Sequence, residues 1–166
     1  MRIKYIKNKN IRELSTKKKK QLYYICYRCQ KKYSRWNRIE WDDIKFYTFM
    51  EQIMNDKRYY IMYIPSKFSR DKNNINKVLV YCRYPDENIE IVTYGFICPI
   101  FMYWSNLKIL DKMLRKKFPN KKIYVKILIN DKWGKKIFLK FGYQISTQKE
   151  KKYITFIRDK IFNVEF

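Results

Sequence analysis

Asn130-Asp131-Lys132-Trp133-Gly134-Lys135-Lys136-Ile137-Phe138-Leu139-Lys140-Phe141-Gly142-Tyr143 is the stretch on which the fold turns. Asn130 or Asp131 offers a side-chain oxygen to the first free amides of a helix, so either serves as its N-cap. Trp133, Ile137, Phe138 and Phe141 then form an apolar stripe at helical spacing. Gly142 stands where a left-handed residue ends a helix, and Tyr143 opens an aromatic-led strand. Just upstream, 121–129 reads KKIYVKILI, a strand. A strand, a short helix and a strand in succession are the material of a layered α/β sheet.

Further back, Leu107, Leu110 and Leu114 stripe a helix over 105–117, which Phe118 extends and Pro119 ends. Three strand-like runs precede it: 59–64, stopped by Pro65; 77–84, KVLVYCRY; and 89–98, IEIVTYGFIC. The polar connections 66–76 and 85–88 join neighbours, as in an antiparallel meander. The middle runs are apolar on both faces and need cover on both sides. Asp42 caps a helix to about residue 55, with Ile44, Tyr47, Phe49, Met50, Ile53 and Met54 as its apolar set. Ser15 or Thr16 caps another to about residue 31, with Leu22, Ile25, Cys26 and Cys29 at i, i+3, i+4 and i+7. Tyr33-Ser34-Arg35-Trp36-Asn37 breaks that pattern. RIKYI at 2–6 alternates like a short strand, and 142–146 and 152–157 close the chain as two more. The order is β-α-α-β-β-β-α-β-α-β-β. The third meander strand feeds a helix and then a strand, a crossover that favours parallel pairing. The expected fold is α/β (α+β), a mixed, mostly antiparallel sheet flanked by helices, in one domain over 1–166.

Composition narrows the chemistry. Hydrophobic residues make up 46% of the 166 residues and aromatics 19%, which argues against disorder. There is no histidine, which removes Ser-His-Asp triads, Cys-His pairs, HExxH sites and Cys₂His₂ fingers. There is no alanine, and three glycines leave little material for glycine-rich phosphate loops. Lys+Arg number 39 against 15 Asp+Glu, a net charge of +24. Lys, Ile, Asn, Tyr and Phe have AT-rich codons, so an AT-rich genome, as of a phage or other virus, produces much of this bias unaided. A field of that size still attracts polyanions. Residues 1–30 carry charge throughout and leave no apolar signal segment, and no run of 18 apolar residues occurs. The expectation is a cytoplasmic protein off the membrane, in host cytoplasm or virion if viral. Cys26-x-x-Cys29 has metal-like spacing, but both cysteines lie on the buried stripe, and Cys82 and Cys98 are far apart. They read as buried free thiols with no metal.

The element order resembles the GNAT superfamily of acyl-CoA-dependent N-acyltransferases. Residues 130–143 are similar to its N-x-x-A-x-x-L-Y-E-K-L-G-F segment, and IEIVTYGFICP at 89–99 is similar to its fourth strand and V-x-P exit. The resemblance implies acetyl-CoA or another acyl-CoA as cofactor, and an amine of a protein or small molecule as acceptor. It implies that two neighbouring strands part after Pro99 and that a helix beginning near Ser105 aims its amides into the gap. The pantetheine arm then lies along Ile97, Cys98 and Pro99. The pyrophosphate meets the turn Met102-Tyr103-Trp104-Ser105-Asn106-Leu107, with Asn130 and Phe138 also at the cofactor. Arg115 and nearby lysines serve phosphates more diffusely. Ser105 and Leu107 stand where the family loop R/Q-x-x-G-x-G/A carries glycines, so Leu107 is expected to crowd a pyrophosphate.

Glu90 is the implied general base, on one strand face with Val92 and Tyr94 by alternation. Phe138 stands where many members carry a tyrosine that protonates the leaving thiolate, and phenylalanine has no proton to give. Tyr94 or Tyr143 is the substitute donor. Glu40, Asp42 and Asp43, beside Trp36 and Trp41, border the implied acceptor groove. A second similarity is to toxin-activating lysine acyltransferases, through Ile97-Cys98-Pro99 and Arg115-Lys116-Lys117-Phe118-Pro119. The histidine of that branch is missing, and Gly95 occupies the position of its aspartate. Three readings stand: an active N-acyltransferase; a GNAT-like binding or virion protein without catalysis; and a basic nucleic-acid-binding protein. For the last, lysine clusters and exposed tyrosines are the material, with no helix-turn-helix, RNA-recognition or zinc motif present.

Overall fold

Seven strands share one sheet in the computed structural model, which describes residues 7–65, 75–86 and 88–159. In chain order the elements are β1 (Lys7–Asn10), α1 (Thr16–Asn37), α2 (Asp43–Asn55), β2 (Tyr59–Pro65), β3 (Ile75–Arg83) and β4 (Ile89–Phe96). They continue with α3 (Tyr103–Lys117), β5 (Ile123–Leu128), α4 (Lys132–Lys140), β6 (Gln144–Lys149) and β7 (Tyr153–Arg158). Short 3-10 turns occupy Ile11–Glu13 and Ile100–Met102. The expected strand at 2–6 and most of the 66–76 connection lie outside the described residues. The sheet order is β1-β2-β3-β4-β5-β7-β6, antiparallel except between β4 and β5. This is the mixed, mostly antiparallel sheet that the element order led us to expect.

α1 corrects one expectation. Ser15 caps it, accepting from the Lys18 amide at 3.4 Å, but it runs to Asn37, well past residue 31. Tyr33 follows Cys29 by four residues and stays on the buried stripe, so the apparent break prolongs the helix. The chain leaves it through Arg38, whose φ of 54° is left-handed.

Two apolar clusters lie on the two faces of the sheet. α1 and α2 cover Ile61, Tyr63, Val78 and Val80; α3 and α4 cover Leu79, Tyr81, Ile91, Val125 and Phe156. Leu107, Leu110 and Leu114 are fully buried beneath α3. Each contributes about 2 kcal/mol of apolar burial. At Gly95 a Cβ would lie 2.5 Å from Ile25 Cγ2 and 3.0 Å from the Cys26 backbone nitrogen, so α1 rests directly on β4.

β4 carries a bulge. Tyr81 pairs with Ile91 and Val80 with Thr93, which leaves Val92 as the extra residue. Alternation therefore resets inside the strand. Glu90 lies opposite Cys82 and Tyr94 opposite Leu79, positions on opposite faces of β3. The expectation that Glu90 and Tyr94 share a face is overturned by this one-residue insertion.

Asp111 is 0% exposed beneath α3, ion-paired with Arg115 at 2.7 Å and accepting from the Tyr143 hydroxyl at 2.6 Å. Burial raises its carboxyl above the ordinary value, outweighing the pull of Tyr143 and Arg115. A group of this kind contributes stability that is complete below its unfolded value of about 4 and is lost as pH rises through the native one. Asp111→Asn has no such proton to lose. Its stability relative to wild type is therefore expected to rise as pH rises above about 4 in urea unfolding. A difference that stays constant with pH contradicts this account.

Candidate functional site

β4 and β5 pair in parallel only from Ile89 with Ile123 to Ile91 with Val125. Beyond that point β4 stays with β3 as far as Phe96, and β5 stays with β7 as far as Leu128. The two strands part at the bulge, where added twist bends β4 away. The parting lies after Ile91, not after Pro99. Their facing edges hold backbone groups that no strand partner satisfies, inside the sheet and away from its margins.

A cleft of about 170 Å³ fills the gap. Ile91–Tyr94 form one wall and 125–128 the other, with Gln30, Tyr33, Ser34 and Trp104 above and Asp131, Gly134 and Phe138 at the α4 end. Gln30 Nε2 donates to the Tyr94 carbonyl at 3.0 Å, so α1 satisfies one backbone group at the split. The volume is below the ~300 Å³ that a drug-sized ligand fills. It suits a thin, mostly apolar arm.

The α4 end is held by Asp131. Its Oδ1 accepts from the Gly134 amide at 2.7 Å, the Tyr33 hydroxyl at 2.8 Å and Asn37 Nδ2 at 2.6 Å. One N-cap carboxylate thus ties the last turns of α1 to the first turn of α4 across the cleft. Gly134 fits because a Cβ there would lie 2.5 Å from Asp131 Oδ2. Burial, and then the Asp131 charge, push the Tyr33 phenol up, so it keeps its proton. Trp36 packs on Trp133 at 5.1 Å and Tyr33 edge-on against Trp104 at 5.3 Å, extending the tie with rings.

Of the residues anticipated from sequence, Tyr94, Trp104 and Phe138 line the cleft. Burial holds the Tyr94 phenol well above its ordinary value. Glu90 stays outside the lining, its carboxylate accepting from the Tyr84 hydroxyl. Tyr143 gives its hydroxyl to Asp111. Asn130 is exposed, and Asp131 does the capping. Ile97 is 63% exposed, Pro99 is exposed, and Cys98 accepts from Asn106 Nδ2 at 3.2 Å; none of these lines the cleft. Asp42 caps α2, accepting from the Lys45 amide at 2.9 Å. Asp43 accepts from Trp41, Tyr27 and Lys31, which hold its carboxyl below the ordinary range. Glu40 is exposed. Cys26, Cys29 and Cys82 are buried free thiols, and burial pushes Cys29 up to about 12.

The expected phosphate turn is wound up. Met102–Leu107 has no glycine to hold it open, and the turn-favouring Ser105 and Asn106 place their side chains on the Met102 carbonyl at 2.9 Å and on Cys98 at 3.2 Å. The 3-10 turn at Ile100–Met102 runs straight into α3, which begins at Tyr103. The Met102 amide donates to the Pro99 carbonyl at 3.0 Å and that of Tyr103 to Ile100. Asn106 and Leu107 amides belong to the helix ladder, so Trp104 and Ser105 supply the remaining first-turn amides. Leu107 does not crowd the turn: it is 0% exposed and points into the core. Arg115 is committed to Asp111. Lys32 and Lys77 lie near enough to Cys98 to draw its thiol down, although burial, the larger influence, raises it.

Gln30, Tyr33 and Asp131 are the cleft residues whose part the sequence reading missed. Tyr33 continues the α1 stripe and Asp131 stands at an N-cap, signals that speak of packing and capping and not of a cleft.

No family model and no curated protein matches the sequence. Solved structures do match its shape. An acetyltransferase from Thermus thermophilus superposes with a TM-score of 0.63 at 10% identity, over 95% of this chain and 99% of that one. A Bacillus subtilis acetyltransferase in complex with CoA gives 0.61 at 11% identity, over 93% and 97%. An acetyltransferase of the GNAT family from Staphylococcus aureus gives 0.60 at 14% identity, over 93% and 98%. The likeness at these identities is one of fold, and the chain has the GNAT fold. No helix among the described residues is long and apolar enough to cross a membrane.

Proposed function

We propose that the protein is an acyl-coenzyme A-dependent N-acyltransferase that seats the thioester end of the cofactor between β4 and β5. The observation that carries this reading is the parting of a parallel strand pair at a bulge in mid-sheet. Unpaired strand edges seek hydrogen bonds, and the amides of a pantetheine arm supply them. The fit is good along this arm and poor at the pyrophosphate, where most of the turn's amides are spent. Lys32 and Lys77 act on Cys98, and Arg28 on Tyr103, so cations border that end. Bound acyl-coenzyme A supplies a thioester that an amine attacks, so that an amide forms and a thiol leaves.

Tyr33 and Tyr94 are phenols that keep their protons at the cleft, but Tyr33 commits its own to the hydrogen bond with Asp131, so Tyr94 is the donor left for a thiolate. It takes over what Phe138 lacks. Taking the proton of the acceptor amine is the work of a base. Glu90, bound by Tyr84 outside the lining, is not assigned that work.

Thiol release from acetyl-CoA in the presence of a lysine-rich peptide or a polyamine tests the proposal. Release is expected with wild type, and Tyr94→Phe is expected to lower turnover by about 10²-fold while acetyl-CoA binding is kept. A second reading, a cofactor-binding GNAT fold without transfer, is favoured by the wound-up turn and the aromatic tie over the cleft. Saturable binding with no thiol release from any amine would establish that reading and remove the first.

A further inference from the structure

Far from the cleft, α1 and α2 face each other with a second set of side chains. Lys19, Lys20, Tyr23 and Tyr24 on α1 and Tyr47, Glu51 and Met54 on α2 line a groove of about 580 Å³. At 1.5 Å per residue this groove lies about 14 to 21 Å along α1 from Tyr33. The core stripes of the same helices are Leu22, Ile25 and Cys26 on α1 and Met50, Ile53 and Met54 on α2, so Met54 and the inner side of Tyr23 floor the groove while Lys19, Lys20, Tyr24, Tyr47 and Glu51 lie outside the core. The groove is therefore an additional, outward seam.

Its surface combines flat rings with cations. Tyr24 is 56% exposed and Tyr47 54%. Tyr23 stands edge-on to Tyr47 at 6.1 Å and stacks on Tyr27 at 5.8 Å, which fixes the rings of the seam against one another. The Arg28 guanidinium lies 5.3 Å from the Tyr24 ring centre and donates to its hydroxyl at 3.0 Å, leaving a cation at the rim. Glu51 is the single acid in the lining. An apolar partner helix would have to bury lysines here. A chain of bases joined by phosphates would not: its rings stack on the tyrosines while its charges meet the lysines.

We propose that this groove binds single-stranded nucleic acid, with bases stacked on Tyr24 and Tyr47 and phosphates held by Lys19 and Lys20. The inference does not depend on acyl transfer. A net charge of +24 draws any polyanion. The test must therefore separate bases from charge. Fluorescence anisotropy of the full chain compares an oligothymidylate of about twelve nucleotides with an abasic deoxyribose-phosphate strand of equal length. Wild type is expected to bind the oligothymidylate about tenfold tighter or more, the margin that stacking of a base or two supplies. The double variant Tyr24→Ala/Tyr47→Ala is expected to lose that margin and keep its affinity for the abasic strand. Tyr24→Phe/Tyr47→Phe is expected to retain the margin, since stacking needs only the ring. Equal binding of the two strands by wild type overturns the proposal, as does equal binding of a duplex. A margin that survives the alanine variant also overturns it.

Discussion

Replacing Asp131 with alanine is expected to destabilise the fold by about 3 kcal/mol and to weaken acetyl-CoA binding at least tenfold. The estimate comes from three bonds that end on one oxygen. Loss of an N-cap costs about 1 kcal/mol. The bonds from Tyr33 and Asn37 share that one oxygen, only the Tyr33 hydroxyl is buried, and together they contribute about 2 kcal/mol, within the range of one hydrogen bond to a charged group. Without the carboxylate, that hydroxyl has no acceptor and α1 is released from α4. Asp131→Asn keeps an acceptor oxygen and is expected to cost about 1 kcal/mol, the charge alone being lost. Urea unfolding measures both. A loss of less than about 1 kcal/mol in the alanine variant would mean that the tie across the cleft does not hold it.

Gly95→Val is expected to be still more damaging, at more than about 3 kcal/mol, with a marked loss of folded protein at 37 °C. Overpacking is tolerable when the neighbour is a side chain that can rotate. At Gly95 one neighbour is the Cys26 backbone nitrogen, 3.0 Å from the position a Cβ would take. α1 would have to lift off β4 along its buried stripe. Even Gly95→Ala is expected to cost about 2 kcal/mol. Thermal melting of both variants checks this, and an alanine variant within about 0.5 kcal/mol of wild type would contradict the close approach of α1 to β4.

The parts of this fold that were legible in sequence are those with local causes. Asp42 and Asp131 cap helices, Leu107, Leu110 and Leu114 mark a buried face, and Pro119 follows a helix end. The apolar runs over β2, β3 and β4 announce covered strands. What was not legible depends on tertiary pairing. Nothing in IEIVTYGF marks Val92 as a bulge, because the insertion exists only relative to β3, yet it sends Glu90 and Tyr94 to opposite faces. The early start of α3 at Tyr103 follows from the missing glycines. The sequence displayed that lack, but the resemblance to a looped family pattern drew attention to Leu107 as an obstacle and away from the helix that replaces the loop. Arg115 looked like a phosphate ligand because its partner Asp111 is a lone acid in a basic helix. Burial makes the pair, and burial is invisible at one position. Tyr33 and Trp36 looked like a break because polar neighbours interrupt them, although a four-residue step from Cys29 keeps Tyr33 on the stripe.

In the proposed function the gap between β4 and β5 receives the acyl end of the cofactor. Calorimetric titration of acetyl-CoA into wild type and into Ile127→Trp tests it most directly. Ile127 is half-buried in the cleft wall, so an indole there fills the gap and leaves the charge of the protein unchanged. The account predicts one saturable site in wild type and a loss of affinity of about 10²-fold or more in the variant, a penalty near 3 kcal/mol. Equal binding by the two proteins, or none by either, would contradict it.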